Sequence, residues 1–228
     1  MLEKEIATQS PQCFQKYSWD SKHALYGYPP DTYPEFRWIK NLETRFQWLR
    51  GNYTSTEQAG LHLIRDMLAW GGSQNGRREK FDDAFGGKAA NAYTWLDQTV
   101  QNLDQPQKAI KYALDFPGIG LTYASKLLRF LDPDRYGALD TRLRKALCAT
   151  NLLDKIIDGN KASLIKGYCT YMDFLGRVQV CLEARQIMRP ESTLARANNV
   201  TGWRVADIEM ALFQWAAEPA RQVVARNR

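Results

Sequence analysis

Cysteine, histidine and long apolar runs are scarce in this chain, and each shortage argues against a class of protein. The four cysteines (Cys13, Cys148, Cys169 and Cys181) are scattered through 228 residues, with no C-x-x-C pair. That pattern argues against a structural zinc site and against a disulfide-dense secreted scaffold. The two histidines, His23 and His62, stand too far apart to suggest a metal pair. No apolar stretch approaches the ~20 residues of a bilayer-spanning helix. The opening Met-Leu-Glu-Lys-Glu does not read as a signal peptide. The expectation is an intracellular, cytoplasmic protein with no membrane partner. Convincing β-alternation is also missing, as are internal repeats and low-complexity tracts, so the expected fold class is all-α (mainly α).

What is present begins with charge. Lys and Arg number 31 against 25 Asp and Glu, a net charge of +6 and a pI near 9.1, which suits a polyanionic partner without requiring one. Residues 1–53 read as an irregular aromatic segment with a short helix near 41–49, packed on a helical core that occupies 54–228. Thr54 and Glu57 form a capping box for a helix reaching Trp70, where Gly71-Gly72 stops it. A polar turn, Ser73-Gln74-Asn75-Gly76, leads into a short basic helix. Apolar spacing then predicts helices over 91–103, 106–114, 121–131, 140–148, 151–157, 161–187 and 203–217. Trp48, Trp70, Trp95 and Trp215 fall on apolar faces and are assigned to the core.

The most informative stretch is Phe116-Pro117-Gly118-Ile119-Gly120, between the helices of 106–114 and 121–131. Phe116 and Ile119 are placed to pin the two helices, while Gly118 and Gly120 let bare amides approach a ligand. The helix that follows opens with unpartnered N–H groups, a ready anion site. Eighteen residues after Thr122 comes Asp140, in Ala138-Leu139-Asp140-Thr141. A helix from 121 to 131 carries the chain about 16–18 Å from the turn. The eight residues 132–139 can span roughly 27 Å, enough to bring Asp140 back towards the hairpin. At a helix N-terminus the Asp140 carboxylate would be held by amides and the helix dipole.

An apolar-Pro-Gly-x-Gly hairpin, a helix and a following aspartate together resemble the helix-hairpin-helix DNA glycosylase superfamily. The motifs that carry the likeness cover 116–141, and the order of elements extends it over about 55–150. The resemblance implies a two-lobed helical fold, with the hairpin at 106–131, and a monomer, nucleoid-associated, that binds double-stranded DNA, extrudes a base and cleaves its N-glycosidic bond. Gly118, Ile119, Gly120 and Arg142 would contact DNA phosphate. The carbonyls of Leu114, Phe116 and Ile119 would hold a K+ or Na+ ion. Some members carry a four-cysteine iron–sulfur loop; its spacing is absent here, so no cluster is expected and the likeness is closer to the 8-oxoguanine glycosylase branch. Gln74 or Asn75 would be the wedge that replaces the extruded base, and Trp203 or Phe213 would line the base pocket.

Asp140 is the expected catalytic carboxylate, because positive charge develops on the sugar as the base departs. Members that also nick the backbone carry a lysine two residues after the second hairpin glycine. Thr122 occupies that position here, so the departure favours a monofunctional enzyme in which Asp140 activates water. Lys126 lies one turn further along the same helix face and offers an alternative nucleophile, able to form a Schiff base if desolvation removes its proton. A solvated or phosphate-binding lysine is the plainer reading of that residue. The alternative for the whole chain is a non-catalytic helix-hairpin-helix module in a repair or phage-defence assembly. The base removed would be damaged or modified, 8-oxoguanine-like or another.

Overall fold

A computed structural model describes residues 2–20, 29–52, 57–72, 81, 83 and 89–217, with backbone alone for 57, 58 and 89–93. The described residues are mainly helical. In chain order they form α1 (Leu2–Gln15), β1 (Ser18–Trp19), β2 (Asp31–Thr32), α2 (Arg37–Asn52), α3 (Glu57–Trp70) and α4 (Ala89–Gln101). After these come α5 (Pro106–Ala113), α6 (Leu121–Leu131), α7 (Thr141–Ala149), α8 (Lys161–Ala184) and α9 (Val205–Ala217). The two short strands pair antiparallel, Ser18 opposite Thr32 and Trp19 opposite Asp31. Among the described residues no helix is long and apolar enough to cross a membrane.

The N-terminal third departs most from expectation. Its first segment, read from the sequence as irregular, is the helix α1, with Pro11 inside it. Ile6, Ser10 and Phe14 recur every fourth residue and are buried, so one face of α1 docks on α9 and α8. Asp31 caps α2, its Oδ1 accepting the Trp38 and Ile39 N–H groups at 2.9 and 3.2 Å. Phe46 of α2 stacks on Phe130 of α6, centroids 5.6 Å apart. One apolar cluster runs from Ile6 to Ala216. The described residues between 2 and 52 therefore contribute to the same core as the helices that follow.

Two other expectations need correction. Residues 151–157 are not helical: Asn151 takes φ +57°, and the Leu152 and Leu153 N–H groups turn back to the Leu147 carbonyl, closing the end of α7. Trp48 is 52% exposed rather than buried. The 161–187 helix is continuous through Gly176 and ends at Ala184.

Candidate active site

The hairpin between α5 and α6 is a tight turn. Gly118 sits at φ +72°, a conformation that costs a side-chain-bearing residue, and the Ile119 N–H closes the turn on the Phe116 carbonyl at 3.2 Å. Phe116 and Ile119 are buried, 2% and 7% exposed, and pin the helices as their spacing implies. The Ile119 amide is thus committed inside the turn. The Tyr123 N–H is also taken, by the Gly120 carbonyl at 3.0 Å, which leaves the amides of Gly118, Gly120, Leu121 and Thr122 for an anion and corrects the expectation for Ile119. One lone pair of the Phe116 carbonyl is likewise taken, whereas the cation expectation drew on Leu114, Phe116 and Ile119 equally. Lys161 at the start of α8 forms an ion pair with Asp115 and ties that helix to the hairpin.

Asp140 is the N-cap of α7, its Oδ1 accepting the Leu143 N–H at 2.8 Å. The return loop that delivers it is fastened at every step. The Ser125 hydroxyl of α6 accepts the Leu139 N–H at 2.9 Å. Tyr168 and Tyr171, adjacent on one face of α8, donate to the Gly137 and Ala138 carbonyls at 3.1 and 3.0 Å. Pro133 and Asp134 carbonyls accept the first N–H groups of α9. Buried backbone polar groups require partners, and here those partners come from three helices. Asp140 is held beside α6 by the residue next to Lys126.

Lys126 decides the character of the site. It is 6% exposed, not the solvated lysine that helix spacing alone allows. Its Nζ lies 4.9 Å from the ring centroid of Trp70 and 5.3 Å from those of Trp19 and Tyr123, within cation–π range of all three. Trp19 comes from the N-terminal strand, and its Nε1–H donates to the Trp70 carbonyl at 2.7 Å. Trp70 is fixed in turn by its Nε1–H on Asp31 Oδ2 at 2.8 Å. Gly71 lets the α3 end close down on the lysine: a Cβ there would meet Tyr123 at 2.6 Å and Lys126 Nζ at 3.1 Å. Burial pushes the Lys126 ammonium below the ordinary lysine range. Asp140 and Glu209 pull it back up, and Arg129 adds to the depression.

The comparisons with known proteins add nothing to this geometry. No family model, curated protein or solved structure matches the chain.

The other expected site residues divide. Phe213 joins the site, its ring 5.7 Å from Trp19 and 4.5 Å from the Arg142 guanidinium. Arg142 is exposed, and a stacked guanidinium keeps its in-plane donors for a phosphate. Trp203 does not join the site. It is fully buried, donates Nε1–H to the Ile187 carbonyl at 2.8 Å and packs edge-on to Phe14 at 5.7 Å. The unforeseen helix α1 covers it. Thr122 is half-buried, one turn before Lys126. The wedge pair Gln74 and Asn75 lies outside the described residues. Among the described residues no three His, Cys, Asp or Glu side chains form a metal-holding group.

Sequence reasoning missed a buried ionic network behind the lysine. Arg129 pairs with Glu43 at 2.8 Å and approaches Glu209 at 3.6 Å. Arg204 pairs with Glu43 and Asp207, both at 2.7 Å, and Arg189 lies 3.4 Å from Asp207. Such charges stay ionised in a protein interior only when paired. The signal was visible as isolated charges in apolar helices, Arg129 in Leu127-Leu128-Arg129-Phe130-Leu131 and Glu209 in Ile208-Glu209-Met210-Ala211-Leu212.

Proposed function

We propose that this chain is a DNA glycosylase with a two-lobed helix-hairpin-helix architecture. It binds double-stranded DNA as a monomer, takes one modified base out of the stack and breaks that base's glycosidic bond. The observation that carries the reading is Lys126, a desolvated amine enclosed by Trp19, Trp70 and Tyr123 and coupled to the helix-capping Asp140. Burying an unpaired ammonium is costly, and surface DNA contact requires nothing of the kind. A nucleophilic amine does require it, because only the neutral form attacks carbon.

In this reading the hairpin amides and Arg142 hold phosphate, and Phe213 and Trp19 present aromatic faces to the extruded base. Asp140 stabilises positive charge on the sugar. Lys126 attacks C1′, which makes strand nicking through a Schiff base the expected activity. The threonine at 122 then reflects a nucleophile displaced by one helical turn. The non-catalytic alternative predicts DNA binding that is indifferent to this amine.

The test is incubation of the protein with duplexes that each carry one modified base, 8-oxoguanine among them, with borohydride present. Release of a base with a covalent adduct supports the reading. Asp140→Asn should keep DNA binding and lose at least about 100-fold in base release. Binding to every duplex without base release would establish the non-catalytic alternative.

A further inference from the structure

We infer that Asp31 is a positioning residue of this site: its carboxylate sets two of the three aromatic walls against the Lys126 amine. The inference rests on the glycosylase reading and names a residue that neither the hairpin motif nor Asp140 implies, from a part of the chain outside the family likeness.

Asp31 belongs to a closed circuit of contacts. On the strand pair it stands opposite Trp19. The Trp19 indole N–H donates to the Trp70 carbonyl at 2.7 Å, and the Trp70 indole N–H donates to Asp31 Oδ2 at 2.8 Å. The two indoles are thereby held with centroids 6.1 Å apart, inclined at 50°. Lys126 Nζ sits 5.3 Å from the Trp19 ring and 4.9 Å from that of Trp70. The third wall, Tyr123, is tied to the same helix end, its hydroxyl donating to the Gly71 carbonyl at 3.4 Å. Asp31 is the ionisable member of the circuit and is 1% exposed.

Helix capping alone does not explain a carboxylate here. Oδ1 serves the Trp38 and Ile39 amides at the start of α2, and a neutral asparagine caps a helix as well. Burying a carboxylate is unfavourable. Burial does push the Asp31 carboxyl up, opposed by the Trp70 indole and the two α2 amides. What a carboxylate adds to a neutral cap is a second acceptor, and that acceptor is used on Trp70. An indole released from it is free to turn and admit water to Lys126.

The sign of the effect on the lysine identifies the route. Burial is the largest influence lowering the Lys126 ammonium, so water admitted past a loosened ring raises it. Loss of the Asp31 negative charge, acting directly through space, would lower it. The charged groups that bear on Lys126 are Asp140 at the α7 cap, Glu209 of α9 and Arg129 of α6, and all three remain when Asp31 is changed.

The experiment reads the amine itself. The full chain is treated with acetic anhydride from neutral to alkaline pH, and acetylation of Lys126 is followed by mass spectrometry, with no DNA present. Asparagine keeps one acceptor for the two α2 amides and turns an NH2 donor towards the Trp70 N–H. Asp31→Asn should therefore move the labelling midpoint up by about one pH unit. Borohydride trapping at pH 7 on a duplex with a preformed abasic site should fall about tenfold with it, while duplex binding persists. Loss of a helix cap alone would lower stability and leave the midpoint in place. In a Trp70→Phe background, which lacks the indole donor, Asp31→Asn should move the midpoint no further. A midpoint that stays or falls in Asp31→Asn overturns the inference, and so does an undiminished shift in the Trp70→Phe background. If Asp31→Asn does not fold, Trp70→Phe alone decides, because it leaves the α2 cap intact: a raised midpoint supports the inference and an unmoved one overturns it. If wild type traps no sugar on any duplex, the glycosylase reading fails, while the labelling midpoints still judge whether Asp31 holds the rings against the amine.

Discussion

Replacing Glu209 with Gln should change how stability depends on pH. In the unfolded chain a glutamate ionises near 4.5, whereas in the fold burial raises Glu209 to about 7. Below pH 4.5 the group is protonated in both states and contributes no difference. Between 4.5 and 7 the unfolded state releases its proton and the folded state retains it, so rising pH favours unfolding. At 1.36 kcal/mol per unit, a shift from 4.5 to about 7 corresponds to about 3 kcal/mol, accumulated by pH 7.5. Glutamine keeps the shape but does not titrate. Urea unfolding of both proteins across pH 4.5–8 should show Glu209→Gln gaining about 3 kcal/mol relative to wild type over that window. The gain should be complete near 7.5 and flat beyond. A stability difference that does not vary with pH would refute the buried-acid assignment.

Three further substitutions probe the supports of the site. Ser125→Ala removes the acceptor of the Leu139 N–H and should cost about 1–3 kcal/mol in denaturant unfolding; a neutral result would mean that the return loop does not depend on α6. Trp19→Ala admits water to Lys126 and should return its ammonium towards the ordinary lysine range. Abasic-site trapping at pH 7 should then fall about tenfold per unit recovered, with its profile moved to higher pH; an unmoved profile would deny the aromatic enclosure its role. Gly118→Val forces a β-branched residue into a left-handed conformation at roughly 1–2 kcal/mol. Duplex affinity should drop about tenfold with it, and an unchanged Kd would place DNA elsewhere.

The hairpin was legible because its signals are local. Pro106 opens α5, the Pro-Gly-x-Gly turn follows, and the expected span of 121–131 is the span of α6. Asp140 was legible for the same reason, since an N-cap needs only the residues after it. Other parts of the site depend on partners far apart in the chain. Arg204 and Glu43 are 161 positions apart, and Trp19 reaches Lys126 only because Asp31, Trp70 and the short strand pair position both rings. Helix α1 was not read from the sequence, and it is the helix whose Phe14 packs on Trp203 and closes that residue off from the site. Lys126 sat at the boundary between these cases: helix periodicity placed it on the face of Thr122, but whether it was solvated depended on an N-terminal segment that spacing could not dock.

The central claim is that Lys126 attacks the sugar of a nucleotide whose base is being removed. Borohydride trapping on the modified-base duplexes, followed by mass spectrometry of the digested protein, tests it directly. The expected result is a reduced sugar adduct mapped to Lys126, lost in Lys126→Met while duplex binding persists. An adduct on another residue, or base release that survives Lys126→Met undiminished, would contradict the account.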